Sequence, residues 1–303
     1  MGTLTARPTA PVAARPAARQ PLPGERRMRW LRRADNLLWY VVSLVLVAFF
    51  LLPILGTILT SLKTTREINI KPPTLLFTPT LTHYGAVLFE SGFNFTNFFG
   101  NSVLIALFTS LLVVVINLPA AYSMVRFGTG GGRLFGFVVS LRLLPPIIFV
   151  VPMFILFNLL GLLDSIQGMV LVNTLFNTPL ALLLFVGFVQ DLPREVEESA
   201  MIDGASSRQI LQRIVLPLLL PGLAVVLVMT FLWTWNEFLF ALILTLNKAT
   251  TVTVGASFFV TAWGVRWGEI SAAMTMSLLP TLIFTFFVQR YLVSGLTLGA
   301  LKD

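Results

Sequence analysis

Six apolar blocks, at roughly 37–62, 101–124, 134–160, 166–189, 217–245 and 270–293, occupy most of this 303-residue sequence. A helix rises about 1.5 Å per residue, so each block is long enough to cross the roughly 30 Å hydrocarbon core of a bilayer. In hydrocarbon every backbone N–H and C=O must be paired internally, which leaves helices and closed barrels. Barrel strands would alternate apolar and polar residues over about ten positions, and these blocks do not. Composition agrees: 11% of the residues are charged, against about 25% in a soluble domain. The chain is predicted to be an all-α integral membrane protein with about six transmembrane helices. Pro53, Pro119, Pro145, Pro146, Pro152, Pro179, Pro221 and Pro280 lie inside the blocks and are read as kinks that neighbouring helices accommodate.

Residues 1–35 form a separate region, with eight arginines, five prolines and no apolar period. They are expected to be a disordered, basic, cytoplasmic tail that meets anionic lipid headgroups. The first block is too long for the apolar core of a leader peptide, so it reads as a retained span. Residues 36–303 are then the permeation domain. With the amino terminus inside, 15 Lys and Arg fall on the cytoplasmic side and 5 outside. This asymmetry places both termini in the cytoplasm. Distributed in this way, the net charge of +8 speaks for membrane topology and against nucleic acid.

The loop 190–216 is the long amphipathic stretch between spans. Pro193 suits a first helical turn, with Glu195, Glu197 and Glu198 near its positive end. Asp203-Gly204 should end that helix, and Ser206 with Gln209 has the spacing of a capping box for a second one. Ile210, Leu211, Ile214 and Val215 give the second helix an apolar stripe. A helical elbow of this kind is a docking device.

The residue inventory points away from catalysis. There is no cysteine and one histidine, His83, to which no role is given. No catalytic set, metal site or nucleophile with a base is evident. A phosphate-binding loop needs G-x-x-x-x-G-K-[ST], and the glycine-rich run Gly128–Arg133 lacks the lysine. Asn94-Phe95-Thr96 matches the pattern of a glycosylation acceptor.

At the elbow the residues Glu198-Ser199-Ala200-Met201-Ile202-Asp203-Gly204-Ala205, followed by Ile214-Val215-Leu216-Pro217, resemble the EAA motif of bacterial ABC importer permeases. Ser199 and Leu211 are small departures. Asn101-Ser102, Ala120-Ala121-Tyr122, Gly161-Leu162-Leu163-Asp164, Trp235–Ala241 and the ending Gln289–Thr297 are similar to the carbohydrate branch, in particular to the smaller, six-span partner of the maltose-type pair. The resemblance implies a multi-pass subunit of the bacterial cytoplasmic (inner) membrane. It implies a second permease subunit, two ATPase subunits and an external substrate-binding protein as partners, a sugar as cargo, and lipid around it. It also implies that this chain binds no cofactor of its own, ATP and Mg belonging to the partner ATPase. Glu198, Ala200, Asp203, Gly204 and Ala205 are the expected ATPase-coupling residues.

For the translocation path the candidates are Asn173, Asn177, Trp233, Asn236 and Glu237. Trp233, Asn236 and Glu237 are spaced to share one helix face. Asn173 and Asn177, four apart, serve equally as glue between helices. Arg142 is expected to snorkel to the cytoplasmic surface. An ion-coupled carrier is the alternative outside this family, though it would want several buried acids. A non-sugar solute is the alternative within it.

Overall fold

The computed structural model describes residues 23–74, 76–89 and 94–300, with side chains described over 36–286 within those limits. The expected tail up to position 22 and Lys302 lie outside the described residues, as do the side chains of Gln289–Thr297. Helix α1 (Pro23–Ser61) starts well before the expected boundary at 35, so residues 23–35 are helical and not disordered. Pro23 suits a first helical turn because its missing N–H is unpaired there anyway, and Arg, Met, Leu and Ala carry the helix forward.

The chain divides into two units, 1–55 and 56–303. In the first, the apolar residues of α1 from Leu37 to Leu55 are exposed all round, the pattern of a helix whose solvent is lipid. The second unit begins with two short helices, α2 (Thr65–Asn69) and α3 (Thr82–Phe89). Its frame is α4 (Phe95–Phe127), α7 (Ile166–Gln190), α11 (Leu220–Trp235) and α14 (Trp267–Ala300), with α4 packed on α7 and α11, and α11 on α14. Asn117 of α4 donates to the Thr178 hydroxyl of α7 at 3.3 Å, and Asn177 of α7 to that of Thr234 on α11 at 3.4 Å. With lipid as apolar as leucine, such bonds and close packing hold membrane helices together. At Gly255 the backbone lies against the Phe98 ring, leaving no space for a Cβ.

Two expected spans are broken. Helices α5 (Gly131–Ser140) and α6 (Val150–Leu159) belong to one apolar block, yet the chain bends by 99° between them. Leu144 and Pro145, each preceding a proline, are extended, with ψ of 133° and 128°. A residue before proline is pushed out of the helical region, and two in succession cannot be absorbed as a kink. The elbow segment contains α8 (Arg194–Ile202), α9 (Ser207–Ile210), a π-helical turn over Leu211–Val215 and α10 (Leu216–Leu218). It meets α11 at a bend of 78° near Leu219, where Pro221 removes another donor.

The fifth span also ends early. α11 stops at Trp235, and after an irregular Asn236–Phe238 the chain resumes as α12 (Leu239–Leu244). A turn, α13 (Val252–Ser257) and the two-residue strands β1 (Val260–Thr261) and β2 (Gly264–Val265) lead into α14. Among the described residues four helices are long and apolar enough to cross a membrane, and up to six if each bent pair counts as one span.

Candidate functional site

The elbow has the geometry its sequence anticipates. Glu195 and Glu197 sit in the first turn of α8, where the helix dipole favours negative charge. At its end Gly204 has φ +83°, the Ala205 N–H reaches the Ala200 carbonyl at 2.9 Å, and the Gly204 N–H reaches that of Met201 at 3.0 Å. These two bonds form a Schellman stop, which needs a left-handed residue at the glycine. Ser206 and Gln209 then close a reciprocal capping box at the start of α9. Ile210 and Val215 are fully buried, and Ala200 and Ala205 pack against the same inner cluster with Phe185 and Val189.

Of the five expected coupling residues, Glu198, Asp203 and Gly204 are exposed, while Ala200 and Ala205 are half-buried against this chain's own core. Met201 and Ile202 are also exposed, Ile202 to 87%. This is an exposed apolar tip on the elbow, of the kind that marks an interaction site.

The residue that ties the elbow to the membrane bundle is Glu197, which sequence reasoning left without a role beyond the helix dipole. Its carboxylate accepts from the Tyr122 hydroxyl at 3.0 Å and from the Arg126 guanidinium at 2.8 and 2.6 Å. Arg126 donates onward to the Leu192 carbonyl at 3.1 Å. Both charged side chains are over nine-tenths buried. Local spacing does not single out Glu197, since it lies three residues before half-buried Ala200 but four before exposed Met201, and its partners come from α4.

The path candidates are not brought together on one surface. Asn173 and Asn177 are buried and bond to carbonyls of their own helix, at Met169 and Asn173, besides the Thr234 contact. Asn177 thereby ties α7 to α11, while the bond of Asn173 stays within its own helix. The expected common face of Trp233, Asn236 and Glu237 is absent, because the helix ends between them. Asn236 caps the end of α11 through the Leu232 carbonyl at 2.8 Å. Glu237 accepts from the backbone N–H groups of Phe240 at 2.6 Å and Ala241 at 3.0 Å, satisfying the start of α12. Trp233 is half-exposed and carries the Arg142 guanidinium 4.5 Å from its ring centre. Arg142 is exposed, and its Nη1 also donates to the Phe176 carbonyl at 3.2 Å.

A third group lies at the opposite end from the elbow. The Asp164 carboxylate accepts from the N–H groups of Leu246, Asn247, Lys248 and Ala249 at 2.9–3.1 Å. Burial pushes this carboxyl up, but the four backbone donors outweigh it and hold it below the usual aspartate range. Asn101 donates to the carbonyls of Lys248 and Thr250, and the Ser102 hydroxyl accepts from Val252 N–H at 2.8 Å. His83, expected in an outer loop without a role, is buried beside Glu269, with Nδ1 at 3.6 Å.

Comparison with known proteins completes the picture. Residues 114–298 match the family described as binding-protein-dependent transport system inner membrane component. The chain is 36% identical to the trehalose/maltose transport system permease protein MalG of Thermococcus litoralis, over 76% of this chain and 84% of that one. It is 32% identical to the trehalose transport system permease protein SugB of Mycobacterium tuberculosis, over 87% and 97%. Among solved structures, a chain of a bacterial ABC transporter that imports the acidic polysaccharide alginate superposes with a TM-score of 0.69 at 23% identity, covering 86% of this chain and 98% of that one.

Proposed function

The chain belongs to the binding-protein-dependent transport inner membrane family, and on that premise we propose that it is one permease subunit of an ATP-driven sugar importer. In this reading it forms half of a translocation pore with a second permease. Two ATPase subunits hydrolyse ATP beneath it, and an external binding protein delivers the sugar. Names of relatives that transport trehalose, maltose and diacetylchitobiose support a sugar as cargo.

The observation that carries the coupling role is the elbow. Its inner face is fastened to α4 through Glu197, and its outer face presents Glu198, Met201, Ile202 and Asp203 to the cytoplasm. A partner that pushes on this tip moves α8 and, through a buried ion pair, the inner end of α4. Rigid elements linked by such contacts carry a switch between discrete packings. Charge asymmetry supports cytoplasmic termini. Tagged chain, co-expressed with its neighbouring permease, ATPase and binding protein genes, should purify as one complex. In proteoliposomes that complex should take up sugar only with ATP and loaded binding protein. Uptake that persists without ATP and follows a proton or sodium gradient would overturn the reading.

A further inference from the structure

The broken third span turns at Leu144–Pro146 beside a cavity of about 330 Å³. Its walls include Leu144, Phe149, Phe176 and Pro179, and its polar features come from Arg142 with Trp233 beside it. It lies within the apolar blocks: Arg142 follows the end of α5 by two residues, Trp233 stands two residues before the end of α11, and Pro179 is 13 residues after Ile166 and 11 before Gln190.

A guanidinium within an apolar block is costly and calls for a partner. Among the described residues no carboxylate pairs with Arg142. One Nη1–H reaches the Phe176 carbonyl, and the cation lies over the Trp233 ring. A guanidinium has five N–H donors in a fixed fork, so most of its capacity is uncommitted. The lining is otherwise apolar, and the volume falls in the range of small-molecule sites, about 300–1,000 Å³.

We propose that Arg142 and Trp233 form this subunit's contact with the transported sugar, in place of the Asn173, Asn177 and Glu237 set. The indole offers a flat apolar surface to the C–H face of one sugar ring, and the guanidinium donates to that ring's oxygens. Phe176, fixed between the Phe149 and Phe240 rings at 5.4 and 4.5 Å, holds the carbonyl that orients Arg142. The broken helix is what makes the site. A straight third span would place side chains where the turn leaves space. This inference rests on the importer reading above and names the substrate-facing residues within it.

The test uses the reconstituted complex and a panel of radiolabelled maltose, trehalose and diacetylchitobiose. Uptake by the wild type of none of these sugars would count against the sugar reading, and the variants address the site. Arg142→Gln and Trp233→Ala should each lower uptake by about tenfold or more. Assembly and ATPase stimulation by the loaded binding protein should stay near normal, and Trp233→Phe should recover part of the rate. The cysteine-free background allows a second measurement in Trp233→Cys. Labelling by a small thiol reagent during ATP turnover should slow when sugar-loaded binding protein replaces the empty form. Unchanged uptake in both variants, or equal labelling with and without sugar, overturns the assignment. So does loss of the second permease from either purified variant, which would make Arg142 a subunit contact.

Discussion

The two ends of the membrane bundle are fastened in opposite ways. At the elbow end one carboxylate, Glu197, gathers Tyr122 and Arg126 and holds α8 against α4. At the other end many weaker ties hold the segment after α11. Asp164 binds four backbone N–H groups, Asn101 two carbonyls, Ser102 one N–H, and Glu237 the start of α12. The first arrangement is a single buried latch between side chains. The second spreads its bonds over backbone and fixes a loop whose own N–H groups have no helix to serve them. A latch links two rigid bodies so that motion passes between them, and a distributed clamp keeps one shape. The contrast sets an elbow end that can pass motion to α4 against a far end that keeps one shape.

Breaking the latch should have the largest effect. Glu197→Ala leaves the Arg126 charge buried and unpaired, a loss of about 3–5 kcal/mol. Thermal unfolding in detergent should fall sharply, and protease should cut within 190–216. Replacing both partners, Arg126→Met with Glu197→Met, should recover most of the stability, since apolar packing of similar volume can replace a buried pair. Recovery of stability without recovery of transport would mark the pair as a transmission element. Recovery of both would reduce it to packing.

The clamp should fail by degrees. Asp164→Ala removes charge-assisted bonds and is expected to cost about 2–3 kcal/mol, read as faster hydrogen exchange at 246–249 with the elbow unaffected. The pH dependence has a definite sign. The Asp164 carboxyl is held low in the folded state, so its stabilisation is present above the ordinary aspartate pKa of about 3.9 and is lost as pH falls through its lower folded value. The gap between wild type and Asp164→Ala should therefore be full at neutral pH and close only in strong acid.

How much of this was legible depended on the range of the interaction. The elbow's turn was readable because Gly204, Ser206 and Gln209 act on their own neighbours. The choice between Glu197 and Glu198 was not, since it turns on Tyr122 and Arg126, some 70 residues away in the chain. Pro145-Pro146 marked where the third span is weak. Whether it kinks or breaks depends on what fills the turn, which no local signal reports. Likewise Trp235-Asn236-Glu237-Phe238 carries no glycine or proline, so the end of α11 was hidden. Asp164 and Asn101 stood out through the resemblance alone, and their task became clear when the 246–252 backbone was placed beside them.

Gly204 sharpens the comparison further, because its cost is purely one of backbone. A Cβ there would touch nothing within 4 Å, yet the residue sits at φ +83°. Gly204→Ala should cost about 1 kcal/mol, and Gly204→Val more. The valine variant should insert normally but distort the elbow enough to abolish ATP-coupled uptake. Normal stimulation of the ATPase in Gly204→Val would remove the Schellman turn from the coupling device.

The smallest effect on the fold is expected at Ile202, and it is the most telling about function. The side chain is 87% exposed, so Ile202→Ser should leave stability within about 0.5 kcal/mol. Among the described residues little covers the side chain, while a partner with an apolar cleft would bury it. If the elbow tip docks into the ATPase, losing a buried isoleucine surface should weaken that association by about tenfold, the equivalent of roughly 1.4 kcal/mol. The measurement is ATPase retained on the purified permease pair as salt and dilution increase, with melting temperature as the control. Glu197→Ala would lose the ATPase together with its own fold. Ile202→Ser should lose the ATPase alone, which separates the surface that meets the partner from the latch behind it. Full retention with normal stimulation would mean that the tip faces solvent in the assembled importer, and that coupling enters through another part of the loop.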